Sequence, residues 1–157
     1  SCCGGECVDL RIDRANCGTC GNACNLPFAT ASCELGACLV ATCASLRGDC
    51  DSSDADGCEA DLTTPSNCGA CGVACGPMAS CLGSGSAYGC VCNSGYSGSG
   101  TVCSDVDECA ASAARCGRTL AGGAVNSCVN TSGAYTCTCG TGFTASGSGL
   151  TATCVSA

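Results

Sequence analysis

The chain has 157 residues and a formal net charge of −8, with 24 cysteines, 24 glycines, no histidine and no tryptophan. Cysteine makes up 24 of 157 residues, or 15%, which is typical of a disulfide scaffold in a secreted protein. Leucine, isoleucine, valine and phenylalanine supply only 21 of 157 residues, or 13%, too few to offset the conformational entropy of the chain. Disulfides can supply the difference, since each closed loop of about 15 residues contributes roughly 3 kcal/mol. We therefore expect an extracellular or cell-surface protein in an oxidising environment.

The same numbers exclude several functions. With five basic residues against thirteen acidic ones, nucleic acid is excluded as a partner. No apolar run reaches the length of a membrane span, and no apolar signal segment begins the chain, so we expect a secretion signal to have been removed or to lie outside it. Because histidine, the commonest general base, is missing and no nucleophile–base pair can be named, the sequence predicts that the protein is not an enzyme.

Two copies of one cysteine pattern occur in the first half of the chain. Residues 7–24 read CVDLRIDRANCGTCGNAC, and residues 58–75 read CEADLTTPSNCGACGVAC. They resemble the cysteine-rich repeats of predicted bacterial surface proteins and, more distantly, the stigma-specific secreted proteins of plants. The Cys-x-x-Cys spacing also suits zinc, but a cysteine-dense chain without histidine favours disulfides. By analogy between the repeats we expect the pairs 7–17 and 58–68, whereas Cys2 and Cys3 can bridge to each other, to distant cysteines or to another chain.

An acidic segment precedes and overlaps the second copy. Residues 49–61 read DCDSSDADGCEAD, which is similar to the D-x-D-G pattern of a calcium-binding loop. In EF-hand register the third, fifth and sixth positions are Asp54, Asp56 and Gly57, but the twelfth is Thr63 instead of the required glutamate. A solvated, disulfide-closed acidic loop is therefore favoured over a weak calcium site.

A second repeated pattern, C-x6-Y-x-C-x-C, occurs at residues 81–92 and 128–139. Each copy is followed by a glycine–aromatic pair and a last cysteine, Cys103 or Cys154. The earlier copy resembles the latter part of an epidermal growth factor-like (EGF-like) domain over about residues 71–103. That resemblance implies the disulfides 71–81, 75–90 and 92–103. Because no acidic residue immediately precedes this module, we expect it not to bind calcium.

The C-terminal copy carries the strongest signal. Asp105-Val106-Asp107-Glu108-Cys109 begins a run of six cysteines, and Asn130 and Tyr135 lie between the third and the fourth of them. These D-x-D-E-C and C-x-N-x4-Y-x-C motifs resemble those of a calcium-binding EGF-like domain over about residues 105–154, which implies disulfides 109–128, 116–137 and 139–154. The resemblance also implies that calcium is held by the side chains of Asp105, Glu108 and Asn130 and by the backbone carbonyls of Val106, Thr131 and Ala134. Such oxygen ligands are those that calcium prefers; the alternative is an acidic linker that binds nothing.

We therefore predict a small disulfide-rich fold of tandem cysteine-stapled modules, with short β-hairpins, little helix and an EGF-like domain at the C-terminal end. The modules are a cysteine-rich repeat region at 1–57, a second repeat merging into an EGF-like module at 58–104, and the calcium-binding EGF-like domain at 105–157. Alternation of an aromatic residue with paired cysteines predicts strands at 89–93 and 134–140. One or two helical turns are expected at 110–118.

The distribution of charge suggests what the protein does. No charged residue occurs in 62–104 or in 119–157, and such long neutral stretches are unusual on a soluble monomer. We expect them to be covered by copies of the same chain or by sugar, for which Asn130-Thr131-Ser132 is an N-linked sequon and the Ser- and Thr-rich stretches offer O-linked sites. The first hypothesis is an extracellular structural protein, a self-associating subunit of a surface filament or rod stiffened by disulfides and calcium. The alternative is a monomeric secreted or cell-surface adhesion module that recognises a receptor or a carbohydrate.

Overall fold

The computed structural model describes residues 1–110, 116 and 126–157 of the chain. These residues form fourteen short strands in seven two-stranded sheets, and each sheet consists of two strands that are consecutive in the chain. The strands are β1 Cys2–Cys3, β2 Glu6–Cys7, β3 Ala29–Glu34, β4 Ala37–Cys43, β5 Arg47–Gly48, β6 Ala60–Asp61, β7 Ala79–Ser84, β8 Ala87–Cys92, β9 Tyr96–Gly98, β10 Cys103–Asp105, β11 Ser127–Thr131, β12 Ala134–Thr138, β13 Phe143–Ser146 and β14 Thr153–Ser156. A 3₁₀ turn, Gly149–Thr151, precedes β14. Because no described sheet has a third strand, loops and disulfides must cover the faces of each hairpin.

The predicted fold class is confirmed. Strand β8 covers most of the strand predicted at 89–93, and β12 covers most of the one predicted at 134–140. No α-helix occurs in the described residues, and the helical turn predicted at 110–118 falls mainly on residues outside them. None of the described elements is a helix with the length and apolar character that crossing a membrane requires.

Every one of the 24 cysteines is in a disulfide, as predicted. The twelve pairs are 2–7, 3–20, 17–33, 24–38, 43–58, 50–71, 68–81, 75–90, 92–103, 109–128, 116–137 and 139–154. When Cys20, Cys50 and Cys71 are set aside, one order occurs three times, starting at Cys17, Cys68 and Cys109. In each set of six the first cysteine pairs with the third, the second with the fourth and the fifth with the sixth. The N-terminal half therefore repeats the connectivity of the C-terminal domain.

Five predicted disulfides are confirmed, and three are wrong. The pairs 75–90, 92–103, 109–128, 116–137 and 139–154 are present. The pairs 7–17, 58–68 and 71–81 are absent, since Cys7 bonds Cys2, Cys58 bonds Cys43 and Cys81 bonds Cys68. Cys2 and Cys3 do not bridge to each other or need another chain, because they bond Cys7 and Cys20.

The physical reason for the error at Cys71 lies in the loop at 67–72, whose N-C-G-x-C-G sequence also occurs at 16–21. Its asparagine, Asn67, accepts a hydrogen bond from the backbone N–H of Gly72 at 2.9 Å, and this closes the loop on itself. The closed loop buries Cys68, which is 3% exposed, and leaves Cys71 exposed. Cys68 therefore takes the place of the first cysteine of the module, and Cys71 bonds Cys50 in the β5–β6 loop. Spacing alone did not distinguish the two cysteines.

Packing divides the chain into two compact units, each with a small core. The first unit consists of Ser1–Cys75 and Cys81–Cys90, and the second of Gly76–Ser80 and Val91–Ala157. The core cluster of the first is Cys17, Cys24, Ala31 and Cys33, and that of the second is Cys116, Tyr135 and Ala152. Tyr135 is 1% exposed, and its hydroxyl donates to the Ala152 carbonyl at 2.8 Å. The division into modules at 1–57, 58–104 and 105–157 stays a prediction.

We expect a variant with both Cys50 and Cys71 replaced by serine to fold with the other eleven disulfides in place and with reduced stability. The lost bond spans 21 residues, so the free energy of unfolding should fall by about 3 kcal/mol in guanidinium titrations without reductant. The corresponding replacement of Cys3 and Cys20, which are 17 residues apart, should cost a similar amount. A peptide map of the unreduced wild-type protein that links Cys71 to Cys81 would contradict the fold described here.

Candidate calcium site

Asp105 is the last residue of β10, where it lies opposite Tyr96 of β9. Its carboxylate accepts two hydrogen bonds from the hairpin β11–β12. Asn130 Nδ2 donates to Oδ2 at 2.7 Å, and the backbone N–H of Gly133 donates to Oδ1. Asp105 and Asn130, which are 25 residues apart in the sequence, are therefore close enough to bind the same ion.

The hairpin itself positions three of the other predicted ligands. Asn130 lies on β11 opposite Tyr135, whose buried ring anchors the hairpin, and Thr131 pairs with Ala134 where the hairpin closes. Val106 directly follows Asp105, and its N–H donates to the Gly95 carbonyl at 2.9 Å. The β11–β12 hairpin thus carries three predicted ligands, Asn130, Thr131 and Ala134. It is joined to Asp105 by the hydrogen bond from Asn130.

Glu108 is the buried acidic residue of the described chain, with 4% of its surface exposed. Neither of its carboxylate oxygens has a hydrogen-bond partner among the described residues, and the same is true of the buried Oδ1 of Asn130. Native proteins rarely leave such oxygens unsatisfied, because burying an unpaired polar group is costly. Two orphaned carboxylate oxygens and an orphaned amide oxygen are the donors that a calcium ion would satisfy, so the residues present fit the ion.

The structure adds a contact that sequence reasoning missed. The hydroxyl of Tyr96 lies 2.8 Å from Ser132 Oγ, and a Cβ placed on Gly133 would come within 2.6 Å of the Tyr96 ring. Gly133 also has φ 73°, a conformation that other residues rarely adopt. Only glycine fits there, and its N–H is the donor to Asp105. The repeated glycine–aromatic pair, Gly95-Tyr96, was the available signal.

An aspartate in the corresponding place of the preceding repeat behaves differently. The N–H of Leu62 donates to the Leu46 carbonyl just as that of Val106 donates to Gly95, so Asp61 corresponds to Asp105. The hydroxyl and the backbone N–H of Thr63 donate to Asp61 at 2.7 and 2.9 Å, and these bonds lower its pKa below the ordinary value. The Asp61 carboxylate is therefore satisfied within its own turn, whereas Asp105 is satisfied from another hairpin.

The acidic segment 49–61 does not assemble in the EF-hand register. Asp54 Oδ1 accepts a hydrogen bond from the backbone N–H of Val40, and Asp56 is exposed. The carboxylates that come together are those of Asp49, Asp51 and Glu59. Sulfur atoms also cluster at Cys17, Cys24 and Cys33, but all three are in disulfides and offer no thiolate to zinc.

Comparison with known families supports two of the resemblances, those to the calcium-binding EGF-like domain and to the stigma-specific proteins. Residues 105–154 match the model of the calcium-binding EGF domain, and residues 1–41 match that of the stigma-specific STIG1-like protein family. The second match covers the repeat at 7–24 but not the one at 58–75, whereas the resemblance was expected over about 7–75. No curated protein matches the chain in sequence. Both families are extracellular modules without enzymatic activity. Because disulfides persist in oxidising environments, the twelve disulfides agree with these matches, and the chain is an extracellular or cell-surface protein.

Replacing Glu108 with glutamine should change stability in opposite directions with and without calcium. When a chelator removes calcium, the variant lacks the unpaired buried carboxylate of the wild type, so its free energy of unfolding should be higher by about 1 kcal/mol or more. With calcium in excess the wild type should be the more stable protein, because the variant lacks a charged ligand. Thermal melting under both conditions measures the effect.

Asp107→Asn is the matched control, since Asp107 is exposed and its bond to the N–H of Ala110 survives in the amide. It should leave the difference between the two conditions unchanged. Equal responses of the two variants would contradict a special role for Glu108.

Proposed function

We propose that residues 105–154 bind one calcium ion and that the bound ion stiffens an extracellular structural chain. The ligands are the side chains of Asp105, Glu108 and Asn130 and the carbonyls of Val106, Thr131 and Ala134. The observation that carries this proposal is the buried Glu108, whose two oxygens have no hydrogen-bond partner among the described residues. The match of the same residues to the calcium-binding EGF domain supports it independently.

The bound ion would supply a positive charge shared by ligands from two sides of the site. Asp105 and Glu108 come from the segment that follows the 92–103 disulfide, and Asn130 comes from β11. Tyr96 already links the same parts through Ser132 and Gly133. Holding Asp105 in place therefore also holds the β9–β10 pair to which it belongs, which restricts motion between that pair and β11–β12.

Asn130 is also the first residue of an N-glycosylation sequon, and its contacts favour the role of ligand. Its Nδ2 atom, the atom that would carry the sugar, donates to Asp105, and its Oδ1 atom is buried. A sugar on Nδ2 would replace a proton of an amide that is already engaged in the site. We therefore expect this residue to carry no sugar in the calcium-bound protein.

Self-association is the second part of the proposal. Eleven large apolar side chains are exposed among the described residues, and eight of them lie in the charge-free stretches 62–104 and 119–157. These eight are Val73, Met78, Leu82, Val91, Val102, Val129, Leu150 and Val155. Covering exposed apolar side chains is favourable, and a chain built of repeats has unlike ends that can join head to tail. The occupant we propose is another copy of the chain.

Calcium should slow hydrogen exchange where the proposed ligands meet. At a calcium concentration about ten times Kd, exchange of the Gly133 and Val106 amides should slow by roughly tenfold if local opening releases the ion. Mass spectrometry of peptides over 95–106 and 130–135 measures this effect. The β3–β4 hairpin is the internal control and should exchange at the same rate with and without calcium. Slowing in all peptides alike, or in none, would contradict the proposal.

Sedimentation velocity with calcium present tests the assembly. We expect species larger than the monomer that grow with protein concentration, with an interface that buries about 1,000 Å² or more in total. Val102→Asp and Leu82→Asp, which place charges at exposed apolar positions of the neutral stretch, should shift the population toward monomer. Ile12→Asp is the control outside that stretch, because Ile12 is equally exposed. A wild-type protein that stays monomeric at all concentrations would favour the adhesion module instead.

A further inference from the structure

The twelve disulfides differ in whether a reagent from solution can reach them. Three lie outside the threefold pairing order, and we call them the outer disulfides: Cys2–Cys7, Cys3–Cys20 and Cys50–Cys71. Each of the three contains at least one exposed cysteine, whereas none of the other nine, the inner disulfides, contains any. Because every cysteine of the chain lies in the described residues, this division applies to all twelve bonds.

The contrast is sharpest within the two N-C-G-x-C-G loops, where an inner and an outer cysteine are three residues apart. Cys17 is 0% and Cys68 3% exposed, whereas Cys20 and Cys71 are exposed. The buried Gly48 lies against Cys71 Sγ, and a Cβ added to it would come within 2.8 Å of that sulfur. Cys71 is exposed beyond this contact. Each loop thus offers one cysteine to the core and one to solvent.

The loops are closed by contacts that do not include the outer disulfides. The side-chain oxygen of Asn16 accepts the backbone N–H of Gly21 at 2.8 Å, and that of Asn67 accepts the N–H of Gly72 at 2.9 Å. The inner disulfides 17–33 and 68–81 hold the same loops to their own modules. Opening an outer disulfide therefore leaves its loop closed, with the exposed cysteine still near its partner, so the bond can re-form.

Thiol–disulfide exchange selects such bonds, because the attacking thiolate must reach one of the two sulfurs. A thiolate of a dithiol forms a new S–S bond with the sulfur of Cys20 or Cys71, and the sulfur of Cys3 or Cys50 leaves as a thiolate and takes up a proton. The second thiolate of the reductant then displaces the remaining cysteine. Two electrons pass to the protein, which gains two thiols, and the dithiol becomes a disulfide. Since all 24 cysteines are oxidised, the reductant comes from outside the chain.

We propose that the outer disulfides are a redox modification site, which an external dithiol opens and an oxidant such as a small disulfide closes again. The nine inner disulfides stay closed throughout. Opening frees the loops at 16–21 and 67–72 from the β1–β2 and β5–β6 pairs. The candidate calcium site contains only inner disulfides, so this proposal is independent of calcium binding.

Limited reduction of the full, oxidised chain tests the site. The protein is treated with dithiothreitol at mildly alkaline pH without denaturant, alkylated after successive times and mapped as peptides. Cys20 and Cys71 should be labelled at least about tenfold faster than Cys17 and Cys68, their matched controls in the same loops, because a buried disulfide reacts only after local opening. Urea below the unfolding transition should speed labelling of the two controls and leave that of Cys20 and Cys71 unchanged.

A second reductant, thioredoxin, distinguishes the sources of the dithiol. Labelling of Cys20 and Cys71 by both reductants supports a site open to protein dithiols, and labelling by dithiothreitol alone supports one open to small thiols. After the reductant is replaced by oxidised glutathione, the twelve original pairs should return. Equal labelling rates for Cys20 and Cys17, or loss of all disulfides in one step, would overturn the proposal. Re-oxidation to other pairs would also overturn it.

Discussion

The structure depends on cross-links because its sheets have only two strands. A two-stranded hairpin cannot bury an apolar side chain on its own, and the chain has few such side chains to bury. Of the nine buried hydrophobic residues in the described part of the chain, six are cysteines. The core is therefore made largely of disulfides, with Tyr135 as its one large aromatic residue in the described chain. Each hairpin keeps its position because sulfur atoms fix it.

The same constraint gives a role to the cysteines that lie outside the repeated pairing order. Cys3–Cys20 and Cys50–Cys71 lie, like Cys2–Cys7, outside the threefold pairing order. Cys3 ends β1 and Cys50 lies in the β5–β6 loop, and each bonds the N-C-G-x-C-G loop that follows it in the chain. No such bond precedes the C-terminal domain. There the contact of Tyr96 with Gly133 and the hydrogen bonds to Asp105 take its place. The connections made by Cys3–Cys20 and Cys50–Cys71 are covalent. Under the proposed function, the connection made by Asp105 and Tyr96 responds to calcium.

The candidate site was predictable because its residues come from short, strongly patterned segments. Asp105 and Glu108 both lie just before Cys109, and Asn130 has a defined spacing from Tyr135, so the motif implied their grouping. The contribution of Gly133 was not predictable, since its role depends on a Tyr96 ring that packs against it from another hairpin. The grouping of Asp49 with Glu59 was equally hidden. It follows from the register of β5 with β6, and strands of two residues are too short to show a recognisable sequence pattern.

The amino-acid sequence by itself determined the oxidised, hairpin-based fold, because cysteine content and a weak core allow no other source of stability. Its motifs resemble those of the calcium-binding EGF-like domain, and that resemblance implied the C-terminal pairings. The tertiary structure decided which cysteine of each N-C-G-x-C-G loop points inward. Asn67 closes the loop and buries Cys68, which leaves Cys71 for Cys50. Spacing specifies which cysteines are near in sequence, but only the fold specifies which of two neighbouring sulfurs faces the core.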